Sequence, residues 1–479
     1  MTIQKSFLFN TLFTLAVNLL VKPVWVFGVD RTVQNRLGEA EYGMYFAIFN
    51  FTYLFQIILD FGLQNYNQTE IAADPSRIKK LFPGLLFVKM LLSAAYFLIV
   101  MAAGIMMGYA WESFFFWLLI NQVLLSLNIF LRSNISANRL FLQDALLSVM
   151  DKLIMIAGAT ILLLGLFPSL ELTIKNFVLI QTAALGATTI VCLLLILRIQ
   201  LVFDWKPDLS TWRTILKDSL PFATAYFLMT VYYRLDSVMI EQMLGEAGAA
   251  EAGIYAQSYR IMESVNNIGY LLAGVLLPLF AYRIGQGESY QEELKHGFGI
   301  MLTLALPIII GGVTYAQDII GSLYPDRDPQ YSARIFILLL LNFFPVAMLY
   351  VISPLLTANK SFKWMLSSLV VAVALNIGLN AWLIPERGAL GAAIATLITQ
   401  LLMLISYSFG LIRIFNIQFS VKFFVPGIYL LLFNILLALV NSSVGLHWLP
   451  GLAITGILSL LAAWRLGVVS KESWRLKID

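Results

Sequence analysis

The 479-residue chain has one cysteine, two histidines and only 12% charged residues. Cys192 stands alone inside an apolar run, so no intrachain disulfide can form and the thiol reads as core packing. His296 and His447 lie far apart near the ends of apolar segments, which argues against a histidine-based metal site or triad. No metal or other cofactor is implied. Large hydrophilic loops are missing too. The longest, among them FDWKPDLSTWRTILK, run to about 15–20 residues, too short to fold as a catalytic domain. Strand-type alternation of apolar and polar residues is absent, which excludes a closed membrane barrel.

What the chain has is apolar length. It is 60% hydrophobic with a mean hydropathy of +0.83, and a soluble protein of this size carries about twice its charged fraction. Stretches of about 20 residues recur throughout, each able to cross a hydrocarbon core about 30 Å thick. We expect fourteen spans, at 6–29, 42–62, 82–108, 112–132, 145–167, 176–200, 218–242, 253–282, 297–320, 333–357, 363–384, 390–414, 420–440 and 447–469. The first is too long for a removable signal peptide and lacks its small-residue cleavage site, so it is read as the first helix.

Lys and Arg placement sets the orientation. With the N-terminus inside, the inner loops collect Lys5, Arg77, Lys79, Lys80, Arg132, Arg139, Arg198, Lys206, Arg213, Lys217, Arg283, Lys295, Lys360, Lys363, Arg413 and Lys422. The tail adds Arg465, Lys471, Arg475 and Lys477, whereas the outer loops hold Arg31, Arg36, Lys175, Arg327, Arg334 and Arg387. This bias expects both termini in the cytoplasm. The net charge of +4 is then a topology signal and gives no support to nucleic-acid binding.

A short loop is written twice. RLGEAEYGMYF begins at Arg36, between the first two spans, and MLGEAGAAEAGIYA begins at Met243, between the seventh and eighth. Six spans separate the copies, an even number, so both loops lie on the outer side and both units point the same way. That is a parallel repeat about an axis along the membrane normal. Asp30 and Asp236 precede the two loops at nearly the same distance. The expected organisation is an N-lobe over 1–202, a cytoplasmic linker at 203–217, a C-lobe over 218–415, and two further helices with a cytoplasmic tail over 416–479.

The order of an apolar helix, Asp, LGEAEYGMY, a second apolar helix and LDFGL resembles the N-terminal part of the polysaccharide flippases of the multidrug/oligosaccharidyl-lipid/polysaccharide exporter superfamily. YYRLDSVMIEQMLGEAGAAEAGIYAQSYRIMESV resembles their seventh and eighth helices, and NIGLNAWLIPERGALGAAIAT their eleventh-to-twelfth hairpin. The resemblance covers essentially the whole chain. It implies an all-α integral membrane protein, with two six-helix lobes around a central cavity plus two extra helices. The implied activity is movement of an undecaprenyl-diphosphate-linked oligosaccharide to the outer leaflet of the bacterial cytoplasmic (inner) membrane for O-antigen-type surface polysaccharide. The implied partners are the polyprenyl-diphosphate-linked glycan, membrane lipid and a coupling ion, H+ or Na+. The protein is expected to act as a monomer near a polysaccharide polymerase and glycosyltransferases. The superfamily also contains drug/cation antiporters and peptidoglycan-precursor flippases, and both remain alternatives.

Charged residues inside spans cost about 2.5–3.5 kcal/mol each at a helix centre and so mark candidate sites. Lys22 lies deep in the first span with no acidic residue one turn away, beside Pro23, which is expected to kink the helix. It is read either as a cavity-lining cation for an anionic substrate or as a lysine reaching the interface. Arg234 and Asp236 in the seventh span and Arg260 and Glu263 in the eighth lie at matching depths. The hairpin allows Asp236 to meet Arg260 and Arg234 to meet Glu263. These are structural pairs, or pairs that exchange partners when a diphosphate arrives, because guanidinium groups bind phosphate oxygens bidentately. Asp236 and Glu263 are also the candidates for ion coupling.

Tyr259, Asn266 and Asn267 extend the polar face around Glu263, and the repeat makes Asn50, Tyr53 and Gln56 the equivalents of Arg260, Glu263 and Asn266. Nearer the cytoplasm, Asp60, Lys89, Asp151 and Lys152 suggest structural anchoring or an inner gate, with Lys89 able to pair with Asp151. Asn376 and Asn380 are expected to bond neighbouring helices. Cations at mid-span argue against a drug/cation antiporter. The short loops argue against a membrane-embedded polymerase or glycosyltransferase.

Overall fold

The structure is a computed structural model that describes residues 17–18, 20–64, 66–67, 71, 74–138, 140–166, 170–199, 209–325, 328–417 and 421–469. The start of the first expected span, positions 203–208 of the expected linker and the tail from 470 lie outside the described residues. The described residues contain no strand, and each expected span has a helical counterpart among them. The first helix runs as a π-helix over Val24–Asp30 and then as α1 (Arg31–Leu37). The order continues with α2 (Glu39–Leu54), α3 (Ile78–Met106), α4 (Phe115–Ala137), α5 (Phe141–Leu163), α6 (Ile174–Ile199) and α7 (Leu209–Met243). It ends with α8 (Gly248–Gln286), α9 (Gln291–Thr314), α10 (Pro329–Ala358), α11 (Phe362–Arg387), α12 (Ala389–Phe415), α13 (Val421–Ser443) and α14 (Trp448–Arg465). Eleven helices are long and apolar enough to cross a membrane; α2, with 16 residues, is not one of them.

Pro23 is the N-cap of the π segment, so the expected irregularity takes the form of extra residues per turn rather than a simple bend. The second span departs from the expected unbroken helix. α2 stops at Leu54, a 3-10 turn covers Gln56–Leu59, and Phe61 and Gly62 take φ of 43° and 82°. Gly62 adopts that conformation without steric cost, whereas Phe61 does not. The carbonyls freed by the break must find donors inside the protein, because lipid offers none. Tyr96 Oη donates to Thr52 O at 2.9 Å and Ser126 Oγ to Leu59 O at 3.5 Å.

The chain forms two compact units, 1–253 and 254–479. The contact boundary therefore falls one helix later than the 203–217 linker, because α7 packs along α2 and α8 carries the chain out of the first unit. The repeat says which segments are related, and the contacts say which pack together; the two boundaries need not coincide. α7 also begins at Leu209, so the second half of that linker is helical.

In the first unit α4 and α6 are tied by two polar steps one heptad apart. Asn121 Nδ2 donates to Val178 O at 3.5 Å and Asn121 Oδ1 accepts from Thr182 at 2.6 Å. Asn128 repeats this pattern with Leu185 O at 3.1 Å and Thr189 at 2.8 Å. Such interhelical bonds contribute on the order of 0.6–2 kcal/mol in lipid, where apolar burial between helices is a weak driving force. In the second unit α13 and α14 use the same device, with Asn434 donating to Ser459 and Asn441 to Thr455, both at 3.0 Å. Asn376 and Asn380, expected to bond across helices, bond each other along α11 at 3.2 Å. Cys192 packs in an apolar cluster with Phe82 and Phe130, as expected.

Candidate functional site

Two helix faces build the principal site in the first unit. On α2 and the turn after it, Asn50, Tyr53 and Gln56 recur at three-residue spacing. On α7, Tyr226, Thr230, Arg234 and Ser237 recur every three or four residues, which puts them on one stripe facing α2. The guanidinium of Arg234 lies 4.8 Å from the centre of the Tyr53 ring, and its Nη1 donates to Asn50 Oδ1 at 3.1 Å. Asn50 Nδ2 donates in turn to Ser237 Oγ at 2.8 Å, and Tyr226 Oη donates to Gln56 Oε1 at 3.2 Å. Asn50, Gln56 and Ser237 are buried, while Tyr53 and Arg234 are half-buried. A guanidinium held by one edge and one face keeps other N–H groups available in a fixed orientation. Asp236, two residues on, is buried at 3% exposure.

The sequence had made Asn50, Tyr53 and Gln56 the repeat equivalents of Arg260, Glu263 and Asn266. The structure adds that Asn50 and Tyr53 contact Arg234. It also adds Tyr226 and Ser237, which sequence reasoning missed, although their spacing from Arg234 carried the signal.

In the second unit, α8 presents the matching face. Arg260 Nη1 and Glu263 Oε2 form an ion pair at 3.1 Å within one helix turn. Asn267 Nδ2 donates to Glu263 O at 2.9 Å, Tyr259 stacks on Tyr255 with ring centres 5.9 Å apart, and Asn266 is half-buried beside them. The (i, i+3) pair was not among the pairs expected across the hairpin, and it gives Glu263 a partner on its own helix.

Lys22 is exposed, one turn before Trp25, which stacks on Phe177 at 5.8 Å. The inner group divides in two. Lys89 pairs with Asp60 at 3.0 Å rather than with Asp151, and it is 1% exposed. The break after α2 explains this. It turns the Asp60 carboxylate toward α3, where Oδ1 accepts from Lys89 and Oδ2 from the Gly62 N–H at 3.2 Å. Asp151 pairs with its neighbour Lys152 at 3.4 Å, and the Lys152 ammonium lies 5.4 Å from the Trp25 ring centre.

At the other end of the same helices, Tyr109 donates to Glu241 in a short hydrogen bond that Gln242 joins at 2.8 Å. Tyr109 lies between α3 and α4, outside the spans. Burial first, and then the Glu241 charge, push its phenol above the ordinary range. No local sequence signal pointed to this contact. In the second unit, an apolar cavity of about 500 Å³ lies among α9, α10, α12 and α13, lined by Phe298, Leu302, Met348, Ile352, Phe423 and Leu431.

Comparison with known proteins follows the same lines. The model of a family described as polysaccharide biosynthesis protein matches residues 7–282. Among solved structures, the chain is similar to a lipid II flippase, MurJ, in an inward closed conformation, with a TM-score of 0.70 at 15% identity over 95% of this chain and 97% of that one. It is also similar to an inward-facing multidrug resistance MATE family transporter of the MOP superfamily, with a TM-score of 0.57 at 14% identity over 85% of this chain and 95% of the other. A third likeness is to the MATE transporter VcmN of Vibrio cholerae, with a TM-score of 0.53 at 14% identity over 85% and 92% of the two chains. No curated protein matches the chain. At these identities the structural likenesses show the fold, which is that of MurJ and the MATE transporters.

Proposed function

Because the chain belongs to the polysaccharide biosynthesis protein family, we propose that it moves an undecaprenyl-diphosphate-linked oligosaccharide from the inner to the outer leaflet of a bacterial cytoplasmic membrane, for surface polysaccharide assembly. The observation that carries the reading is the half-buried Arg234, docked on Tyr53 and Asn50 within the helices. Kept in a low-dielectric setting, such a cation favours an anionic ligand, and a diphosphate presents the oxygens that its free N–H groups match. Arg260 and Lys22 are the further candidate cations, with Asp236 and Glu263 as exchange partners or ion-coupling groups. Tyr53, Tyr226 and Tyr259 supply ring faces suited to sugars. The apolar cavity in the second unit has the chemistry of a hydrocarbon chain.

The proposed cycle is alternating access by two lobes, 1–202 and 218–415, joined by the 203–217 linker, with both termini cytoplasmic. The diphosphate enters from the cytoplasm, releases the arginines from their protein partners and leaves when the outer side opens. An inside-negative potential favours that direction by up to about 2.3 kcal/mol per negative charge per 100 mV. The Asp60–Lys89 pair is assigned to anchoring the inner end of the helix break.

The test is a substrate comparison in proteoliposomes. A fluorescent undecaprenyl-diphosphate oligosaccharide should move between leaflets at a rate above that of protein-free vesicles, and an organic drug cation should not be exported. Drug-cation efflux without glycolipid movement would replace this reading with an antiporter of the same fold.

A further inference from the structure

The glycines of the two repeated loops meet each other. Gly43 and Gly253 hold the same place in the repeat, as the glycine of Gly-x-Tyr. A Cβ on Gly43 would lie 1.8 Å from Ala249 O and 2.5 Å from Gly253 N, and one on Gly253 would lie 2.1 Å from Glu39 O. Glu39 stands four residues before Gly43, and Ala249 four residues before Gly253. Each repeat thus offers the same glycine to the same backbone position of the other. A contact that is its own mirror in this way is isologous and lies on the axis relating the two copies.

Neither glycine has a positive φ. Both sit inside helices, α2 and α8, where glycine is disfavoured. Close approach of backbone to backbone is what accounts for them. The atoms that a methyl group would strike are main-chain, so no rotamer change relieves the clash. A single polar latch lies across the contact, with Gln34 Nε2 donating to Gly253 O at 2.9 Å. Residue 244, the repeat equivalent of Gln34, is a leucine, so the latch exists on one side only.

We propose that the Gly43–Gly253 contact is the outer gate: it closes the loop end of the axis in this conformation and parts when the glycan leaves. Backbone in direct contact leaves no room for a sugar ring on the axis, so passage requires separation at this point. The contact is suited to reversible opening, since it consists of main-chain packing and a side-chain latch and contains no ion pair. The inference rests on the alternating-access reading proposed above.

The test reads the gate independently of transport. Ser237→Cys, 2% exposed and close to Asn50, is introduced into a Cys192→Ser background and challenged with an impermeant thiol reagent from the outer side. Gly43→Ala and Gly253→Ala should each raise its labelling several-fold at matched membrane abundance. Gly186→Ala on α6, where a Cβ meets nothing within 4 Å, should leave it unchanged. Labelling no higher than the parent in the glycine variants overturns the gate. If those variants are lost from the membrane, Gln34→Ala decides, because it removes only the latch: raised labelling upholds the gate and unchanged labelling overturns it. Raised labelling in a protein that moves no glycolipid would keep the gate and sink the substrate reading.

Discussion

The Arg234 guanidinium lies over the ring of Tyr53, 4.8 Å from its centre, and the two side chains come from helices that the sequence separates by some 180 residues. Cation–π contacts contribute on the order of 0.5–2 kcal/mol, more where water is excluded. Tyr53→Leu should therefore lower glycolipid movement at limiting substrate about two- to thirtyfold, the rate equivalent of that energy. Tyr53→Phe, which keeps the ring face, should lose far less. Equal losses in the two variants would mean that the hydroxyl rather than the ring positions Arg234.

Lys22 should act through its charge. Lys22→Arg is expected to keep most glycolipid export, and Lys22→Ala to impair it at unchanged membrane abundance. Normal export by the alanine variant would remove Lys22 from the site.

The Asp60–Lys89 pair should behave as structure. Removing one partner of a buried pair costs about 3–5 kcal/mol. The Asp60 side chain keeps 30% exposure, so Lys89→Met should fall at the low end of that range. Thermal unfolding in detergent should show the loss, and Lys89→Met with Asp60→Asn should recover much of it.

Alkaline conditions should loosen the contact between Tyr109 and Glu241. The phenol's raised pKa means that its stabilising contribution is fully present below about pH 10 and is lost as pH rises beyond that ordinary value. Tyr109→Phe cannot ionise there, so the pH dependence of unfolding above this point should flatten at residue 109. An unchanged profile would deny the coupling.

Most of the fold was legible in the sequence because lipid demands long unbroken apolar runs and satisfies no backbone group itself. The repeated Leu-Gly-Glu-Ala loop revealed the relation between the halves, and the structure adds that its glycines touch. The break after Leu54 was not legible. It depends on a turn at Asp60, Phe61 and Gly62 that apolar composition conceals, and on distant donors from Tyr96 and Ser126. The partner of Lys89 was mistaken for the same reason: depth along a helix can be counted from sequence, but the direction a broken helix turns its carboxylate cannot. Arg234 and Asn50 were each singled out, yet their contact needed the packing of α7 along α2.

The measurement that tests the account most directly is glycolipid movement by the double variant Arg260→Ala with Glu263→Ala, compared with Arg234→Ala, at matched membrane abundance. The double variant removes both members of the observed ion pair and strands neither partner of it. If the arginines hold the substrate diphosphate, both proteins remain in the membrane and both move the diphosphate-linked oligosaccharide at least tenfold more slowly than the parent. A double variant that transports at the parental rate would show that the Arg260–Glu263 pair is structural, and an active Arg234→Ala beside it would contradict the claim that these cations bind the substrate.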